Sequence, residues 1–133
     1  MPTVKQPSTA KSVKVYDLEE RAALFGESVI RFVREVPKDV VNSPVVAQLV
    51  RSGTSVGANY MEAREAESGK DYRHKVAIAK KEARESMLWL RMLAVAHPPG
   101  CQTCRELWQE AHELTMILAA LHRGKKREDG PNG

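Results

Sequence analysis

Apolar side chains recur at intervals of three and four residues through most of this chain, and three breaks divide the rhythm into four segments. That spacing is the signature of helices with one buried stripe. The first segment carries Leu18, Ala22, Phe25, Val29, Phe32 and Val36. Asp17 is its expected N-cap, with Glu20 as capping-box partner, and Pro37 stops it. The second opens at Ser43-Pro44, an N-cap followed by proline at the first helical position. Val46, Leu49, Val50, Gly53, Val56, Gly57 and Tyr60 form its inner face, and it is expected to end near Glu67. The third follows Ser68-Gly69, with Ser68 as N-cap and Asp71 beside the positive end of the helix dipole. Its stripe is Tyr72, Val76, Ala79, Ala83, Met87, Leu90 and Leu93. A second apolar set on that helix, Ile78, Trp89 and Met92, lies off the stripe and predicts an oligomer interface. The fourth segment is expected to open on the box Thr103-Cys104-Arg105-Glu106, to carry Leu107, Ala111, Leu114, Leu118 and Leu121, and to end at Gly124. No run alternates as a sheet strand would. The fold class is therefore all-α, an up-down-up-down four-helix bundle. It is expected over residues 16–123, between a disordered leader (1–15) and a flexible basic tail (124–133).

Within the second helix, Gln48 to Ala63 is unusually rich in residues that isolated helices disfavour. Gly53 and Gly57 each cost roughly 1 kcal/mol against alanine. Tertiary packing offsets such a cost where another helix approaches closely, so Gly53-x-x-x-Gly57 predicts a close crossing. On the same helix Arg51, Ser55, Asn59 and Glu62 share one face. They suit either a polar site open to solvent or RNA, or a buried hydrogen-bond network with Lys75 or Glu82. The buried structural network is the expectation, because a satisfied polar network fixes one packing.

Composition refines this picture only slightly. The chain has 133 residues, one domain's worth, and 5% aromatic residues, so its core must be aliphatic. The formal charge is +4, which permits an anionic partner without demanding one. Arg73, Lys80, Arg84 and Arg91 recur at seven, four and seven residues and so share one stripe of the third helix. They are the candidate phosphate contacts, set against the alternative of an ordinary solvated face. Backbone or shape recognition is the expected mode, because the aromatic residues fall mostly on apolar stripes. No segment resembles a membrane span or a secretory signal, and two cysteines make no disulfide framework, so a cytoplasmic location is expected. His97, Cys101, Cys104 and His112 have the chemistry of zinc ligands, yet one Cys-x-x-Cys without a matched second half is a weak pattern. No nucleophile–base pair, phosphate loop or di-iron spacing is present, so no enzyme, cofactor, metal or small-molecule substrate is expected.

Several blocks resemble a known bacterial family. They are Gln48-Leu49-x-Arg51-Ser52-x-Thr54-Ser55-Val56-x-Ala58-Asn59-Tyr60-x-Glu62-Ala63, Ser68-x-Lys70-Asp71-Tyr72-x-x-Lys75, Ile78-Ala79-x-x-Glu82-Ala83-x-Glu85 and Trp89-Leu90. Together they are similar to the four-helix proteins encoded within intervening sequences of 23S rRNA genes. The accessory variability determinant proteins of diversity-generating retroelements are more distant relatives. The resemblance covers about Tyr16 to Leu121. It implies a ring-like homo-oligomer, with a homopentamer favoured, and RNA or a reverse-transcriptase-like protein as partner. Most of that family is of uncharacterised function. The expected function is thus a non-enzymatic oligomeric binding module for structured RNA or a nucleoprotein, with a protein-interaction scaffold lacking any nucleic-acid role as the alternative.

Overall fold

A computed structural model describes residues 18–129, with side chains up to residue 124. The expected leader, the Asp17 cap and the last four residues lie outside the described residues. Four helices follow one another: α1 (Leu18–Val33), α2 (Asn42–Arg64), α3 (Gly69–Ala96) and α4 (Cys101–Asp129). Helix α3 packs against both α2 and α4, while α1 packs mainly on α2 and lightly on α4. Consecutive helices are therefore neighbours, which is the up-down-up-down bundle that the short links predict.

The core is the set of predicted stripes brought together. Leu18, Phe25 and Val29 of α1, Leu49 and Val56 of α2, Val76, Leu90 and Leu93 of α3, and Leu114 and Leu118 of α4 are almost wholly buried. The α1–α2 crossing is close for the expected reason. A Cβ on Gly53 would sit 3.2 Å from Val29 Cγ2, and one on Gly57 would lie 3.5 Å from the backbone of Ala22. Gly26 completes the contact from α1, where a Cβ would meet Thr54 Cα at 3.5 Å. No helix among the described residues is long and apolar enough to cross a membrane.

The helix ends depart from expectation in five places. Helix α1 stops at Val33, and a tighter turn carries the chain through Val36, whose N–H donates to Val33 O. Helix α2 starts at Asn42, before Ser43, because the Asp39 carboxylate accepts from the backbone N–H of Val41 and Asn42 at 3.0 and 2.6 Å. It ends at Arg64, short of Glu67. Helix α4 does not use the Thr103 box. A 3₁₀ turn, Pro98–Gly100, feeds directly into a helix that begins at Cys101. Nor does Gly124 stop α4, which continues to Asp129. Only the start of α3 is as predicted in detail, with Ser68 Oγ accepting from Asp71 N–H at 3.0 Å.

Candidate nucleic-acid interface

Helix α3 has two flanks, and their polar chemistry differs. The flank toward α2 is closed by cross-helix pairs. At its centre Ser52 Oγ and Ser86 Oγ lie 2.9 Å apart, both buried, and Ser86 Oγ also donates to Glu82 O at 2.9 Å. Outside this pair the Arg51 guanidinium bridges to Glu82 at 3.1 Å and also to Glu85. Glu85 in turn accepts from Trp89 Nε1–H at 2.9 Å. That indole bond, followed by the Arg51 bond, holds the Glu85 carboxyl below its usual pKa. Farther along the seam, Lys75 donates to Glu62 at 2.7 Å, which raises the lysine pKa.

Glu82 and Lys75 are the α3 partners expected for the network of Arg51, Ser55, Asn59 and Glu62, but its expected burial is corrected. The four residues do lie along the α2–α3 seam, but Arg51 and Glu62 are exposed. Ser55 and Asn59 spend their donors on their own helix, bonding Arg51 O at 2.6 Å and Ser55 O at 2.9 Å. The buried polar contact belongs instead to Ser52 and Ser86. Serine within the helical pattern gave only a faint hint of it, since its partner is 34 residues away.

A second cluster, invisible in the sequence pattern, ties the first helix to the last. Arg21 donates through Nε to Glu110 at 2.7 Å and through Nη2 to Glu113 at 2.6 Å. The arginine side chain is 13% exposed. The two carboxylates raise its pKa, while the Arg21 bond depresses that of Glu113.

Glu82 and Glu85 of α3 are thus drawn toward α2, and Glu110 and Glu113 of α4 toward α1. What remains along the outer side of the α3–α4 pair is basic. Lys80 is half-buried, and Arg84 and Arg91 are exposed. Arg73 is half-buried and holds an interaction of its own, so it is less available than its stripe suggested. Helix α4 supplies a second row that sequence reasoning did not single out, Arg105 and Arg123, both exposed. Each row repeats after eighteen residues, Arg73 to Arg91 and Arg105 to Arg123. Eighteen residues complete about five helical turns over about 27 Å, so each row stays on one face. The Thr115–Met87 contact (3.8 Å) sets the two helices side by side. Among the described residues, Lys80, Arg84, Arg91, Arg105 and Arg123 form no ion pair. On α4, Trp108 and His112 stack with centroids 5.3 Å apart and planes 12° apart.

The apolar candidates for self-association are graded. Ile78 and Trp89 are half-buried, whereas Met92 is exposed, as are its neighbours Leu88 and Val95. No three or more His, Cys, Asp or Glu side chains converge as a metal site among the described residues. Of the quartet considered as zinc ligands, Cys104 is in the core and His112 is stacked on Trp108.

The sequence profile of the 23S rRNA-intervening sequence proteins matches residues 14–120. This chain belongs to that family. A solved structure of a protein of unknown function from the S23 ribosomal protein family, from Bacteroides thetaiotaomicron, is similar, with a TM-score of 0.69 and 28% identity. The likeness covers 79% of this chain and 97% of that one. No curated protein matches the chain.

Proposed function

We propose that this member of the 23S rRNA-intervening sequence protein family is a non-enzymatic RNA-binding module. It grips the phosphate backbone of structured RNA through the α3–α4 face. The observation that supports this reading is the partition of charge. Carboxylates of α3 and α4 are engaged by Arg51 and Arg21, while Lys80, Arg84, Arg91, Arg105 and Arg123 face outward without a carboxylate partner among the described residues. The family description, which names 23S rRNA, favours RNA as the anion. Two rows of cations on a rigid helix pair suit backbone positioning more than base reading.

The test is a binding titration of structured RNA across salt. Five neutralised phosphates give a slope of log affinity against log salt of roughly −4. Arg84→Glu with Arg91→Glu removes two of these contacts and lowers the slope by about 2, with an unchanged melting temperature. Absence of binding at low salt would retire the proposal.

A second reading is favoured by a separate observation, the exposure of Leu88, Met92 and Val95 near the end of α3. Clustered exposed apolar side chains mark interaction surfaces. In this reading the chain is a homo-oligomeric scaffold, and a homopentamer is the state favoured by family resemblance. Sedimentation of Met92→Asp tests it: loss of assembly supports the scaffold, and an unaltered mass removes this surface from consideration.

A further inference from the structure

The Cys-x-x-Cys is the one sequence motif that neither the fold nor the RNA face absorbs. Cys101 is the first residue of α4 and is exposed, with helical φ −62° and ψ −32°. Cys104, one turn later, is buried within the core cluster. Chain geometry ahead of them is tightly defined. Gly100 sits against Phe32 of α1, where a Cβ would come within 2.9 Å of Phe32 Cζ. Gly100 N–H donates to His97 O at 3.0 Å, closing the 3₁₀ turn.

We propose that Cys101 and Cys104 form a reversible thiol–disulfide pair, with Cys101 as the attacking thiol and Cys104 as the resolving one. Residues three apart in a helix have Cα atoms about 5 Å apart, inside the span that a disulfide bridges. Their Cβ atoms, about 5–6 Å apart, are too distant, so the bond forms only when the first residue of α4 swings out of the helix. That residue is the cheapest one to move. Its amide has no acceptor within α4 and donates instead to Pro98 O of the 3₁₀ turn, so swinging Cys101 out breaks that single amide bond.

The oxidant is a low-molecular-weight disulfide such as oxidised glutathione. Cys101, as the accessible thiolate, attacks one of its sulfurs, forming a mixed disulfide and releasing one small thiol. Cys104 Sγ then attacks Cys101 Sγ and releases the second. Two protein thiols lose two hydrogens and two electrons, and the small disulfide becomes two thiols. The order follows from burial. Removal from water pushes the Cys104 thiol up to about 11, so it stays protonated until opening of the turn exposes it. Cys101 therefore reacts first, and Cys104 closes the ring afterwards.

The full chain is incubated with glutathione buffers of rising oxidised fraction, quenched in acid, alkylated and digested with trypsin. Both cysteines fall in the peptide Met92–Arg105. The expected product is that peptide two hydrogens lighter, carrying no alkyl group, and restored by reduction. Cys104→Ser is expected to stop at a glutathione adduct on Cys101. Cys101→Ser is expected to take up no glutathione in the folded state. A wild-type chain that remains a glutathione adduct, couples to a second chain, or keeps both thiols in fully oxidised buffer overturns the proposal.

Discussion

The two flanks of α3 end in opposite states. Toward α2, each long cation finds a carboxylate across the seam: Arg51 with Glu82 and Glu85, and Lys75 with Glu62. Small side chains beneath them, Ser52 and Ser86, let the helices close. On the other flank, Lys80, Arg84 and Arg91 have no carboxylate partner among the described residues, and Glu110 and Glu113 of α4 are held by Arg21. The closed flank has its polar groups satisfied within the molecule. The open flank has charge left over for an external anion. The flanks differ in charge balance: Arg51 and Lys75 meet Glu62, Glu82 and Glu85 on one, whereas Lys80, Arg84, Arg91, Arg105 and Arg123 have no carboxylate partner among the described residues on the other.

The largest effect is expected on the closed side of the molecule. Gly53→Leu would drive a branched side chain into Val29 and force α1 off α2, costing about 1–3 kcal/mol. Denaturant unfolding measures it, and an unchanged midpoint would show that the crossing is looser than its geometry. On the open side, Arg105→Glu with Arg123→Glu should weaken RNA binding by about tenfold or more and reduce the salt slope by about 2, without loss of stability. Arg51→Ala is the matched control from the closed flank and should leave RNA affinity unchanged. If the control fails and the double variant does not, the comparison between flanks is inverted.

A smaller effect separates burial from bonding. Ser52→Ala leaves Ser86 with an unfilled acceptor in the core and should cost about 1 kcal/mol. Replacing both serines by alanine removes the mismatch, so the double variant should be less destabilised than the sum of the singles. A double-mutant cycle in urea reads this directly. The smallest effect is electrostatic. Glu113 and Glu85 have folded pKa values below their unfolded ones, so their contribution is complete above the unfolded value of about 4.3 and is lost as pH falls through the folded one. Stability should be flat above about pH 5 and fall below it, by less than about 1 kcal/mol per group, because both carboxylates are partly exposed. Arg21→Met should flatten the part of that decline due to Glu113.

Periodicity alone determined the four helices, their order and most of the core, because a stripe repeating every three to four residues has only one way to be buried. Gly53 and Gly57 announced the close crossing, because two glycines four residues apart within one helix carry a cost that close packing offsets. Ser68 marked the start of α3, since its hydroxyl needs a donor only three residues away. Capping that depended on residues outside the helix was not legible in the same way. Asp39 displaced Ser43 at the start of α2, and the Pro98–Gly100 turn displaced Thr103 at the start of α4. The basic stripe of α3 was visible as a spacing, but its meaning was not. Whether Arg84 and Arg91 met carboxylates depended on which helix lay beside them. Tertiary structure alone decided that Arg21 would hold Glu110 and Glu113 from about ninety residues away, that Arg51 would reach Glu85 as well as Glu82, and that Arg105 and Arg123 would be left without a carboxylate partner among the described residues. A helix's own repeat specifies which face it buries. Which charges meet across a seam is a property of the pair, and neither helix carries it alone.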